Sequence, residues 1–225
     1  MQLKPITINL EKYPEGLWEF LKESEVYDSS SSEEANIIYI KKDKGYFLKQ
    51  AEKGKLKHEA TMAEYFNKKG LTTKVLAYIS NEKDYLLTEK VEGCDCLAQI
   101  YLENPKRLCE VIAESLLSLH RTDFLNCKYF APENLKKLLS NNALIHGDAC
   151  LPNIILNNWK FSGYIDLDCA GIGNIHFDIY WVLWSLKYNL KIEKYNEYFI
   201  DAYGRHYVDK ESLIILSHNY GGNNV

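Results

Sequence analysis

Residues 144–168 read LIHGDACLPNIILNNWKFSGYIDLD, and this stretch decides how the rest of the chain is understood. Two runs suited to strands, residues 153–156 and 160–165, flank Asn157, Asn158 and Trp159, a turn signal of the hairpin type. Pairing those strands brings their outer ends together, so Asn153 and Asp166 become neighbours in space. Asp148 lies on the loop that enters the hairpin and is expected beside them as a third polar group. A carboxylate and an amide carbonyl suit a hard cation such as magnesium, which keeps waters and takes further oxygens from phosphates. The second carboxylate is then free for an incoming hydroxyl.

Outward toward the N-terminus, residues 36–40 and 46–50 read as strands around Lys42-Asp43-Lys44-Gly45. Strand alternation puts Phe47 and Lys49 on one face, a ring for adenine and an ammonium for phosphate oxygens, although a strand lysine can also be merely solvated. The following helix, residues 55–68, places Glu59 on the same stripe as Met62, Ala63 and Phe66. A carboxylate aimed into packed surface needs a partner, because an unpaired buried charge costs several kcal/mol. Lys49 is the nearest candidate by chain logic. Residues 75–79 and 85–88, connected by a loop over 80–84, complete a small antiparallel lobe, and residues 89–93 break the pattern. Two domains are therefore expected, 1–90 for nucleotide and 91–225 for catalysis and substrate.

The remainder reads as mainly helical. Residues 17–21 form a short docking helix, and residues 28–34, rich in serine and acid, a polar loop. Asn104-Pro105 opens a helix with a capping residue and a proline in the first turn, running to His120. Residues 132–139 are expected as a short helix, 170–173 as a flexible turn, and 178–190 as an apolar helix that Asp178 caps. Helices over 193–203 and 210–218 and a frayed tail from Tyr220 complete the chain.

Composition narrows the function. Hydrophobic residues make up 46% and charged residues 26% of 225, ordinary for a globular protein. No apolar run reaches the roughly 20 residues that span a bilayer, and MQLKPITINL lacks the pattern of a signal peptide, so a cytoplasmic protein without membrane partner is expected. Six cysteines without zinc spacing read as reduced thiols. Residues 1–90 hold fifteen basic and fifteen acidic groups, which leaves the whole net charge of −4 to the half containing Asp148 and Asp166. That field disfavours nucleic acid and favours a cationic small molecule.

His146-Gly147-Asp148 with Asn153, followed by Ile165-Asp166, resembles the catalytic loop and metal aspartate of phosphotransferases built like protein kinases. HGDACLPNI with FSGYID and then Asp178-Ile179 is similar, more narrowly, to the aminoglycoside 3'-phosphotransferases of the aminoglycoside phosphotransferase family. The resemblance implies an α+β, two-lobed, protein-kinase-like fold with a small antiparallel β lobe and a larger, mainly helical lobe. It implies that Asp148 orients the substrate hydroxyl and accepts its proton, that Asn153 and Asp166 hold Mg2+ on ATP (or GTP), and that His146 and Asp178 brace the loop. Lys49 with Glu59 resembles the ion pair that positions ATP in kinases, and backbone groups at Glu89 and Val91 correspond to the adenine-binding hinge. The function implied is transfer of the γ-phosphate to an aminoglycoside hydroxyl. A kinase for another hydroxylated metabolite, such as choline, homoserine or a macrolide, and a nucleotide-binding module with little turnover are the alternatives. Three departures bear on the choice: the connection from His120 to Ala143 is short where the family carries a longer helical segment, the family's closing acidic and aromatic residues are replaced by Tyr220-Gly221-Gly222, and Asp168-Cys169 stands where glycine and arginine are usual.

Overall fold

The structure is a computed structural model and describes residues 4–30, 35–131 and 139–220. The chain divides into two compact units, Met1–Lys90 and Val91–Val225.

The first unit is built on strands β1 (Lys4–Pro5), β2 (Glu25–Asp28), β3 (Asn36–Lys41), β4 (Tyr46–Glu52), β5 (Val75–Ser80) and β6 (Lys83–Glu89). They form one antiparallel sheet in the order β1-β2-β3-β4-β6-β5. Two helices, α1 (Trp18–Leu21) and α2 (Lys57–Lys68), serve its opposite faces. Alternation sends Ile38, Ile40 and Leu48 to the side covered by Leu17 and Leu21, all nearly inaccessible. Each such side chain contributes about 2 kcal/mol by leaving water. On the other side Leu56 and Ala60 of the α2 region pack on Ala51 and Leu86. Lys49, two residues before Ala51 in β4, shares the face that receives α2. Residues 31–34 of the expected polar loop lie outside the described residues; at its start, the Ser30 amide donates to the Asp28 carboxylate at 3.0 Å.

One expectation fails here. Residues 80–84 are not all connecting loop: Lys83 and Asp84 belong to β6, and Asp84 is fully buried. A charged pair after a serine and an asparagine looks like a turn in sequence, and only cross-strand pairing of Ser80 with Asp84 and Ala51 with Asp84 reveals the strand.

The second unit contains β7 (Cys94–Asp95), α3 (Gln99–Leu102), α4 (Pro105–His120), β8 (Ala143–Ile145), β9 (Ile154–Asn157), β10 (Lys160–Tyr164), β11 (Gly171–Gly173), α5 (Ile175–Leu190), α6 (Lys194–Tyr203) and α7 (Lys210–Tyr220). Leu108, Ile112, Leu116 and Leu119 give α4 a fully buried stripe at helical spacing, packed against α6. A second apolar cluster joins Phe177 and Tyr180 of α5 to Leu216 of α7 and Ile145 of β8. Sheet order is β10-β9-β7, with β11 and β8 pairing separately.

Three local expectations change. Gly171–Gly173 is not a flexible turn but a strand paired with Ala143–Ile145, because the Ile172 amide and carbonyl also bond the backbone at Tyr129 and Ala131. Asn104 starts α4 through its carbonyl, accepting the Leu108 amide, without a side-chain cap. The cap of α5 is Asn174, whose side chain accepts the His176 amide, and Asp178 lies inside the first turn. The expected helix at 132–139 and the tail beyond Tyr220 fall mainly outside the described residues.

Candidate active site

The hairpin forms as its sequence requires. Asn158 and Trp159 both adopt left-handed backbone, φ 50° and 65°, the geometry of a tight two-residue turn between twisted strands. Tryptophan is a costly residue there, and its ring is held by the Arg107 guanidinium at 4.5 Å and the edge of Tyr101 at 4.9 Å. The register pairs Tyr164 with Ile154, and the Ile165 amide donates to the Asn153 carbonyl at 3.0 Å. The backbone carrying Asp166 is thereby fastened to Asn153.

Asn153, nearly buried in a 3-10 turn, donates its side-chain nitrogen to the Asp148 carboxylate and to the Asp148 carbonyl, both at 2.9 Å. This fixes the Asp148 carboxylate and leaves the Asn153 side-chain oxygen Oδ1 available to a cation. Asp166 is exposed and holds φ +58°, a left-handed conformation that costs a non-glycine residue about 1 kcal/mol. Among the described residues no group of three or more His, Cys, Asp or Glu can hold a metal by itself. One carboxylate and one amide oxygen fit a magnesium ion that draws its other ligands from phosphate and water.

The loop is held from beneath. Asp178, fully buried, accepts the His146 amide at 2.8 Å and the Gly147 amide at 2.7 Å, and lies 3.0 Å from His120 Nε2. His120 Nδ1 in turn meets the Tyr203 hydroxyl at 2.7 Å, so helices α4, α5 and α6 converge on one loop. His146 donates from Nε2 to the Ile165 carbonyl at 2.9 Å and accepts the Asp148 amide at Nδ1 at 3.2 Å. Both ring nitrogens are engaged, which makes His146 a brace between Asp148 and the residue preceding Asp166. Gly147 has no substitute: with φ +82°, a Cβ there would lie 2.1 Å from the Cys169 carbonyl oxygen.

Carboxylates gather around this loop. Burial and then the charges of Asp168, Asp148, Asp166 and Asp178 push the Cys169 thiol up to about 12. Burial and the Asp148 carboxylate likewise raise the Cys150 thiol, so neither sulfur is a nucleophile at neutral pH.

In the other unit, Lys49 Nζ and Glu59 meet at 2.8 Å, with side chains 18% and 9% exposed. Phe47 packs on Tyr39 at 5.2 Å and stays half-buried. Glu89 ends β6 with its amide bonded to the Lys74 carbonyl at 3.0 Å, so only its carbonyl could receive adenine. Val91 is buried in the second unit. Sequence reasoning missed Asp84, hidden in a polar run, and the link from His120 to Tyr203, which no local pattern signals.

A cavity of about 580 Å3 lies among α5, α6 and α7, lined among others by Tyr180, Trp184, Lys187, Tyr188, Lys191 and Glu193. Glu193 is bonded to Lys187 at 2.9 Å. Ser185 of the same helix accepts the Leu151 amide at 3.1 Å, and Asp148, Asn153 and Asp166 do not line this cavity.

Comparison with known proteins gives this geometry a lineage. A model of the phosphotransferase enzyme family matches residues 130–213. A probable aminoglycoside 3'-phosphotransferase of Lactococcus lactis subsp. lactis (strain IL1403) is 42% identical over 252 aligned positions, covering 95% of this chain and 96% of the relative. The chain belongs to the aminoglycoside phosphotransferase family. Because 252 aligned positions exceed the chain's 225 residues, that relative carries segments that this family member lacks. An aminoglycoside 3'-phosphotransferase of Niallia circulans is 26% identical over 167 residues, covering 58% of this chain and 64% of its own. The crystal structure of an aminoglycoside-3'-phosphotransferase of type VIII superposes with a TM-score of 0.73 at 19% identity, over 90% of this chain and 97% of that one. That of APH(3'')-Id from Streptomyces rimosus, in complex with ADP and streptomycin, gives 0.74 at 17%, over 94% and 97%. The family's kinase-like α+β fold is therefore this chain's fold. Among the described residues no helix is long and apolar enough to cross a membrane.

Proposed function

We propose that the protein is an ATP-dependent O-phosphotransferase that moves the γ-phosphate of ATP to a hydroxyl of an aminoglycoside, in the cytoplasm. The observation that carries this reading is the Asp148 carboxylate clamped by the Asn153 amide at 2.9 Å beside the tethered Asp166, in a chain 42% identical to a probable aminoglycoside 3'-phosphotransferase. Asp148 orients the acceptor hydroxyl and takes its proton as the hydroxyl oxygen bonds the γ-phosphorus and the bond to ADP breaks. The Asn153 side-chain oxygen and Asp166 would hold Mg2+, which when bound would neutralise charge developing on the phosphates. Lys49, set by Glu59, takes phosphate oxygens, while Phe47 and backbone groups at Glu89 and Val91 receive adenine.

ADP release measured across aminoglycosides and simple amino alcohols tests the acceptor class. Turnover confined to amino alcohols replaces the aminoglycoside, and turnover with neither class, together with ATP binding, leaves a nucleotide-binding module.

A further inference from the structure

We propose that Asp84 is a positioning residue of the nucleotide site, fixing the start of α2 so that Glu59 meets Lys49. This rests on the reading of Lys49 and Glu59 as the pair that receives ATP phosphates. Asp84 is fully buried in β6, and its carboxylate accepts from the Leu56 amide at 3.0 Å, the Tyr78 hydroxyl at 3.0 Å and the Ser80 hydroxyl at 2.6 Å, with the Gly54 amide as a further donor. Those four donors are all neutral groups. A buried anion held by neutral dipoles is a costly way to close a turn.

What the carboxylate grips explains its place. Leu56 immediately precedes α2 and has no side chain able to cap it. Its carbonyl accepts the Ala60 amide, the first bond of the helix, while its own amide is taken by Asp84 from 28 residues away. Leu56 is thus pinned on both sides, and Glu59 follows three residues later in the first turn. Asp84 stands opposite Ala51 on β4, and Lys49 stands opposite Leu86 on β6. The same strand pair therefore carries the lysine and the residue that sets the helix bearing its partner. A 2.8 Å contact tolerates little rotation of α2, so releasing Leu56 loosens the ion pair without touching nucleotide.

The test is MgATP binding to the full chain by titration calorimetry, with the fitted stoichiometry reporting the folded fraction. Glu59→Gln and Asp84→Asn are each expected to raise the Kd about tenfold. The double variant is expected to bind no more weakly than Glu59→Gln alone, since residues acting through one contact are not additive. A residue holding only the fold would lower the stoichiometry or the Tm and leave Kd unchanged. Should Asp84→Asn fail to fold, the Tyr78→Phe/Ser80→Ala variant keeps the carboxylate, removes two donors, and is expected to raise the Kd about threefold. An unchanged Kd in the folded Asp84 or Tyr78/Ser80 variants, or effects that multiply fully with Glu59→Gln, overturns the inference. An unchanged Kd in Glu59→Gln removes the nucleotide role of the pair itself, and this inference falls with it.

Discussion

The two chemically loaded regions of this protein treat charge in opposite ways. In the N-terminal unit, Lys49 and Glu59 meet as an opposite pair at 2.8 Å, mostly sheltered from water. In the C-terminal unit, Asp148, Asp166, Asp168 and Asp178 surround Cys169, like charges gathered where burial and their field hold the thiol up. The first arrangement supports the fold as well as a ligand, because each charge satisfies the other. The second taxes the fold, with a left-handed Asp166 and converging carboxylates, and under the proposed function a bound cation and phosphates complete it. Carboxylates are consequently of two kinds here: the buried Asp178 and Asp84 organise backbone amides, while Asp148 is half-buried and Asp166 exposed.

This contrast can be broken by measurement. The largest expected effect is on turnover: Asp148→Ala should lower kcat for phosphate transfer by about a thousandfold, with thermal unfolding nearly unchanged. Retained turnover would strip Asp148 of its role. Next, Glu59→Ala should cost about 3 kcal/mol of stability in denaturant unfolding, since it leaves Lys49 without its mate in a sheltered place. A loss no larger than that of an exposed pair would erase the difference drawn between the regions. A smaller and opposite effect is expected from Asp166→Gly, which relieves the positive φ and should raise stability by about 1 kcal/mol while abolishing the magnesium-dependent thermal shift with ATP. A lower Tm would show that Asp166 supports the fold after all.

The smallest effect concerns acid. Burial raises the Asp84 carboxyl, but hydrogen bonds from Ser80, the Gly54 and Leu56 amides and Tyr78 together outweigh it, and the net shift is downward. A carboxyl with a lowered folded value adds stability that is full above the unfolded carboxylate range and is lost as pH falls through the folded value. Unfolding free energy of the parent should therefore fall more steeply below about pH 4 than that of Asp84→Asn. Equal slopes would mean that the hydrogen bonds do not favour the charged form.

Much of the site was readable from the chain because it is local. Asp148, Asn153 and Asp166 fall on one loop and one hairpin, and hairpin pairing has a short-range signal in residues 157–159. Lys49 and Glu59 were legible for a different reason, since a carboxylate on an apolar helical stripe demands a partner. Asp84 was not legible, because a carboxylate flanked by polar residues reads as solvated until strand pairing buries it. Gly171–Gly173 read as a turn because glycines carry no strand propensity, and its pairing with Ala143–Ile145 is long-range.

By itself, then, the sequence determined that Asp148, Asn153 and Asp166 fall on one loop and one hairpin and where the small antiparallel sheet gives way to helices, since periodicity and short spacings survive without a third dimension, while its resemblance to a known family pointed to phosphotransfer. Only tertiary structure decided how those residues are held: Asp178 reaching back 32 residues to the His146 amide, His120 linking it to Tyr203, and Asp84 reaching 28 residues to Leu56. Hydrogen bonds between distant chain positions have no local propensity to announce them. They exist because a buried carboxylate must find donors, and which donors lie within 3 Å is settled by packing.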